Sequence, residues 1–101
     1  MIFVAGTMTL NPAVLEDFER DVAAMLAEVK SEKGCHHYSL LVEDAKNGVV
    51  NVHEQWDDDE ALIVHLAQPW ITTFFGRYSG HMRAHTLKIY DIGGSRPLPG
   101  M

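Results

Sequence analysis

Between two strand-like runs, Cys35 to Glu43 and Val49 to Trp56, the chain has only Asp44-Ala45-Lys46-Asn47-Gly48 in which to reverse. A parallel partner needs a crossover connection of a dozen or more residues, which this segment cannot supply. The turn formers Asp44, Asn47 and Gly48 therefore predict an antiparallel hairpin, and the remaining segments have to be arranged around it.

Ahead of the hairpin, Ile2 to Leu10 is apolar and β-branched on both parities, as expected of a strand covered on two faces. Asn11-Pro12 supplies a helix cap and a proline at the first helical position, where a missing N–H costs nothing. Leu15, Phe18, Val22, Met25, Leu26 and Val29 then recur at helical spacing, with Glu16, Asp17, Glu19 and Arg20 opposite them. Lys30, Lys33 and Gly34 end this helix with a basic last turn and a glycine stop. In the following strand, alternation puts Tyr38, Leu40 and Val42 on one face and Cys35, His37, Ser39 and Leu41 on the other.

Beyond the hairpin, Asp57 or Asp58 caps a second helix, and Asp57 with Glu60 has capping-box spacing. Pro69 opens a third helical segment carrying Trp70, Ile71, Phe74, Phe75 and Tyr78, which stops near Gly80. A last strand is expected from about Arg83 to Ile92. The order β-α-β-β-α-β, its second connection broken at Gln68-Pro69, predicts a ferredoxin-like α+β domain with an antiparallel sheet over residues 1–92. The tail, residues 93–101, has glycines and prolines but no periodicity, and reads as a flexible end or an arm laid across a partner.

Composition removes several function classes. A net charge of −6, with eight Lys and Arg residues scattered along the chain, argues against nucleic acid as a partner. No apolar run approaches the roughly 20 residues that span a bilayer, and the N-terminus lacks the basic start of a signal peptide; a cytoplasmic location and no membrane partner are expected. Cys35 is the only cysteine, so no disulfide forms within the chain and no thiolate metal cluster can be built. His36 and His37 alternate along a strand, and His53-Glu54-Gln55-Trp56-Asp57 lacks the second histidine of a zinc-protease helix, so no metal site is indicated. Gly-rich phosphate loops and the Gly-x-Ser-x-Gly elbow are absent.

A sheet with two apolar faces exceeds what the helices of one small subunit can cover. A homodimer with sheets packed face to face is the expected solution. Within that frame two histidines stand out. His53 lies in the third strand with Asn51 and Gln55, opposite Val50, Val52, Glu54 and Trp56. His65 lies on the apolar side of the second helix with Ala61, Leu62 and Leu66, and is expected to point at the sheet. Either is a core histidine bonded to a carbonyl or a neutral base in a dry pocket. Tyr38, Trp56, Trp70, Phe74, Phe75 and Tyr78 gather around the broken helical connection, where imperfect packing predicts an aromatic-lined gap for a small molecule.

Three segments carry a resemblance to the antibiotic biosynthesis monooxygenase family. They are Lys33-Gly34-Cys35-His36-His37-Tyr38, His53-Glu54-Gln55-Trp56 and Ala61-Leu62-Ile63-Val64-His65. The resemblance runs from Ile2 to about Ile92 and implies a dimeric α+β barrel whose pocket lies between the helices and the sheet of each subunit. It also implies oxygenation of a phenolic or hydroquinone-type substrate by O2, with no flavin, haem or metal as cofactor. On this pattern His65 and Trp56 match pocket positions and Tyr38 matches the strand-two tyrosine, whereas Glu54 reads as a structural partner. His53 is kept as the other candidate base, and Trp70 and Phe74 as substrate-binding residues. Where many relatives have a second histidine just after the helix break, this chain reads Gln68-Pro69-Trp70.

The haem-degrading branch of the same fold has an asparagine in strand one, a tryptophan in the helix and a histidine ligand beyond it. Thr7, His65 and Phe74 or Phe75 stand at those places here, so haem degradation is disfavoured. The leading expectation is a cofactor-independent monooxygenase. The alternatives are a non-catalytic dimeric protein that binds a small aromatic ligand or assists another enzyme, and an isomerase or lyase on the same barrel.

Overall fold

The computed structural model describes residues 1–101, and its spine is strand β1 (Ile2–Leu10). A short 3-10 turn at Pro12–Val14 leads into α1 (Leu15–Ser31). The hairpin of β2 (Cys35–Asp44) and β3 (Val49–Trp56) follows, then α2 (Asp59–Leu66) and α3 (Pro69–Tyr78). A second 3-10 turn at Ser79–His81 precedes β4 (Met82–His85) and β5 (Lys88–Asp91). The sheet runs β2-β3-β1-β4, with β5 also on β1, and all its pairings are antiparallel. This is the ferredoxin-like α+β arrangement expected from the element order. No helix is long and apolar enough to cross a membrane.

The register places one parity of every strand under the helices. Ile2 lies opposite Trp56, Met8 opposite Val50, Tyr38 opposite Glu54 and Leu40 opposite Val52. Against this face α1 buries Leu15, Phe18, Val22, Met25 and Val29, and α3 buries Ile71, Phe74 and Tyr78. Phe18 meets Phe74 and Tyr78 at centroid distances of 5.6 and 5.2 Å, so α1 and α3 are joined by an aromatic cluster above the sheet. Full burial of a side chain such as Phe18 contributes about 1.5–3 kcal/mol, and this layer holds α1 and α3 on the sheet. The other face carries Phe3, Ser39, Leu41, Asn51, His53 and Gln55 with no helix over it, and Leu41 is 66% exposed.

Two local readings from the sequence are corrected, and a third, the choice between Asp57 and Asp58 as helix cap, is decided. The final strand is two strands, because along this edge of β1 the regular pairing is interrupted at Thr86, where the two chains approach closely. Thr86 N–H donates to the Thr7 carbonyl at 2.8 Å, and Thr7 N–H donates to Thr86 Oγ1 at 2.9 Å. The approach is so tight that a Cβ on Gly6, whose φ is +140°, would lie 2.7 Å from the Thr86 carbonyl oxygen. Cys35 sits on the core side opposite Trp56, away from the face of His37, because an irregularity between Cys35 and His37 shifts the register there. The cap of α2 is Asp58, whose Oδ1 accepts from Ala61 N–H at 2.9 Å; Asp57 is drawn instead to the His36 ring.

Candidate functional site

His65 reaches the interior because α2 presents only Leu62 and His65 inward, one turn apart. The residue is 1% exposed. Its ring lies 4.7 Å from that of Trp56, 5.4 Å from Tyr38 and 6.3 Å from Trp70. The structure thus brings His65, Trp56, Tyr38 and Trp70 together.

A residue not singled out from the sequence completes the group. Glu32, at the C-terminal cap of α1, puts Oε2 2.7 Å from His65 Nδ1, with its side chain only 15% exposed. A carboxylate can only accept, so a neutral imidazole in this contact carries its proton on Nδ1 and its lone pair on Nε2. Nε2 is buried and has no hydrogen-bond partner; the same is true of Tyr38 Oη and Glu32 Oε1. Unpartnered buried polar atoms are rare; here two belong to the linked His65–Glu32 pair and the third to Tyr38, whose ring packs against the imidazole.

Gly34 makes the Glu32 contact geometrically feasible. Its φ of +84° turns the chain after α1, and a Cβ there would lie 2.8 Å from that of Ala61 in α2. With no side chain at Gly34, its carbonyl accepts from Asp57 N–H at 2.8 Å, and the end of α1 lies against the start of α2. One sequence signal does point to Glu32. A carboxylate at a helix C-terminus opposes the helix dipole, so its presence there calls for another partner.

Glu54 lies on the same buried face and accepts from Trp56 Nε1 at 3.0 Å, the structural partnership expected for it. Burial pushes its carboxyl up to about 7, with the Trp56 bond acting in the opposite direction and the nearby Glu32 charge adding to the rise. Burial, with the charges of Glu54 and Glu32, also raises the Tyr38 phenol well above its usual range. Tyr38 is therefore a neutral hydrogen-bond donor at any ordinary pH.

The other candidates fall elsewhere. His53 is on the helix-free face of the sheet, its ring 5.1 Å from Phe3 and 5.0 Å from His37. It faces away from His65, so the two cannot serve one bound molecule within a subunit. Phe74 lines a cleft of about 200 Å³ between α1 and α3, together with Met25 and Trp70. At its rim Asp21 accepts from Tyr78 and Arg77, which hold its carboxyl below the usual range. Two further cavities, of about 300 and 410 Å³, lie at the acidic start of α2 and beside Met1, Phe3 and Ile92. Neither these two cavities nor the cleft is lined by His65, Tyr38 or Trp56. The predicted aromatic gap is therefore divided: Trp70 and Phe74 face an open cleft, while Tyr38 and Trp56 pack directly around the imidazole.

Residues 1–77 match the sequence model of the family described as antibiotic biosynthesis monooxygenase. An uncharacterized Synechocystis protein, sll1783, is 26% identical over 98 residues, spanning 96% of this chain and 67% of its own length. Among solved structures, a proposed antibiotic biosynthesis monooxygenase from Deinococcus radiodurans superposes with a TM-score of 0.83 at 20% identity, covering 99% of this chain and 100% of its own. A protein of the same description from Caulobacter crescentus CB15 gives a TM-score of 0.81 at 26% identity, over 92% of this chain and 90% of its own.

Proposed function

Because the chain belongs to the antibiotic biosynthesis monooxygenase family, we propose that it oxidises a phenolic or hydroquinone-type substrate with O2, His65 acting as the general base. The observation that carries this reading is the His65 ring itself: fully buried, its Nδ1 held by Glu32, its Nε2 lone pair unpartnered among aromatic side chains. A neutral imidazole in that state takes a phenolic proton. The resulting anion is electron-rich and passes one electron to O2, the two radicals join at a hydrogen-bearing ring carbon, and the peroxide anion takes the proton back from the His65 imidazolium to become a hydroperoxide. Loss of water then leaves one oxygen atom on the ring as a carbonyl, the substrate having supplied all the electrons that O2 takes up. In this scheme Tyr38, whose buried Oη has no other partner, donates to the oxygen that gains negative charge along the way, and burial keeps water from intercepting it.

The Glu32 carboxylate has two roles in this scheme. It orients the ring, and it stabilises the imidazolium that forms once Nε2 is protonated. In metal-free buffer, an oxygen electrode is expected to record uptake of one O2 per substrate oxidised when hydroquinones or anthrones are added. Binding seen as a shift in tryptophan fluorescence and thermal midpoint, with no oxygen uptake across that panel, would favour the non-catalytic aromatic-binding reading instead.

The assembly proposed with this activity is a homodimer. The uncovered sheet face supports it, since Phe3 and Leu41 lie there without a helix above them. Sedimentation equilibrium is expected to give about twice the 11.3 kDa chain mass, and Leu41→Lys, which puts a charge on that face, to return the monomer.

A further inference from the structure

We propose that Trp70 is the specificity-determining wall of this site: its indole separates the cleft between α1 and α3 from the buried His65 Nε2, and a single-ring phenol reaches that nitrogen by displacing it. The inference rests on the reading of His65 as the reacting group. Two sets of contacts meet at one residue. The aromatic rings against His65 are those of Tyr38, Trp56 and Trp70. The aromatic residues lining the cleft are Trp70 and Phe74. Trp70 alone belongs to both.

The depth of the site makes such a wall necessary. His65 Nε2 and Tyr38 Oη are sealed from solvent with unmet hydrogen-bonding capacity, while Trp70, beside the imidazole, also lines a cleft of about 200 Å³. An apolar cavity of about 150 Å³ holds a benzene ring, so the cleft is sized for one substituted aromatic ring. Its floor is apolar, from Met25 and Phe74, and its rim carries the Asp21–Arg77 pair, which suits an aromatic body with a polar substituent.

Trp70 is the second residue of α3, whose cap position, Gln68, makes no side-chain bond to the helix, whereas Asp58 caps α2. The α2–α3 junction is a helix break at Ala67-Gln68, held to α2 by the Gln68 N–H, which donates to the His65 carbonyl at 3.2 Å.

Diethyl pyrocarbonate, which acylates a neutral imidazole nitrogen, reads access to Nε2 without requiring turnover. Peptide mapping by mass spectrometry follows His65, with the exposed His85 as internal standard. In the wild-type chain His65 is expected to react slowly, and saturating phenol to slow it further. Trp70→Ala is expected to speed His65 modification by roughly tenfold or more, Trp70→Phe to fall between, and Phe75→Ala, in the same helix but outside the cleft, to leave it unchanged. Should Trp70→Ala not fold, as judged by its thermal transition, Trp70→Phe and Trp70→Leu supply the same ordering by side-chain size. Equal rates across the Trp70 series, an equal rise in Phe75→Ala, or no protection by phenol would overturn the proposal. Because oxygen uptake plays no part, loss of the oxygenase reading and loss of this one give different results.

Discussion

Replacing His65 by alanine is expected to lower kcat on a phenolic substrate by about a hundredfold or more, the range expected for losing a general base. Alanine, however, also leaves a cavity and strands the Glu32 carboxylate in a part-buried place, at a cost on the order of 2–4 kcal/mol in stability. His65→Asn separates the two effects. Its amide nitrogen can still donate to Glu32 Oε2, as Nδ1 does, but nothing remains to accept a proton where Nε2 stood. The asparagine variant should therefore match alanine in lost turnover while keeping a higher melting temperature. Steady-state oxygen uptake and thermal melts of the three proteins check this. Turnover unchanged in His65→Asn would reassign His65 to packing.

Glu54→Gln is expected to stabilise the protein at alkaline pH and leave it unaltered near pH 4.5. In the folded chain burial lets Glu54 keep its proton up to about pH 7, against a value of 4.5 for the unperturbed group. Between those limits the folded state binds more protons than the unfolded one, so stability falls as pH rises through the window and the loss is complete above it. The gap corresponds to at most roughly 3 kcal/mol. Glutamine carries no charge and can still accept from Trp56 Nε1, so it removes the pH-dependent loss while keeping the bond. For a domain of this size, melting temperatures of the two proteins should coincide near pH 4.5 and separate by about 10 °C by pH 8. Melts at four pH values between 5 and 8 test it; a difference independent of pH would show that Glu54 is charged throughout. Comparing the two proteins cancels groups common to both, such as Asp21, whose depressed carboxyl acts at lower pH.

Much of the fold was legible in the sequence because it follows from local rules. The bounds of β1 and β3, the Asn11-Pro12 start and the Pro69 opening of α3 all rest on alternation, capping or the missing proline N–H. The errors lie where tertiary contacts decide. Met82 to Ile92 contains no glycine or proline to mark a break, and the division at Thr86 comes from its bonds to Thr7, on a strand nearly the whole chain away. The register shift beside Cys35 likewise leaves no mark in composition.

For the site, the inward placement of His65 could be read from its apolar neighbours one helical turn away. That its partner would be Glu32 could not, since periodicity relates residues within one element and says nothing about which helix ends meet. His53 was equally visible and lies on the opposite face, because strand alternation separates faces without telling which one the helices cover.

The central strand also sets the order in which the chain can mature. β1 precedes every other strand in the domain, yet one of its edges is completed only by β4 and β5, with Ile2 opposite Asp91. Until those last strands join it, β1 is an apolar strand with an open hydrogen-bonding edge, the state in which strands pair with the wrong neighbour. Closure across so many intervening residues slows folding relative to a domain built on local pairings.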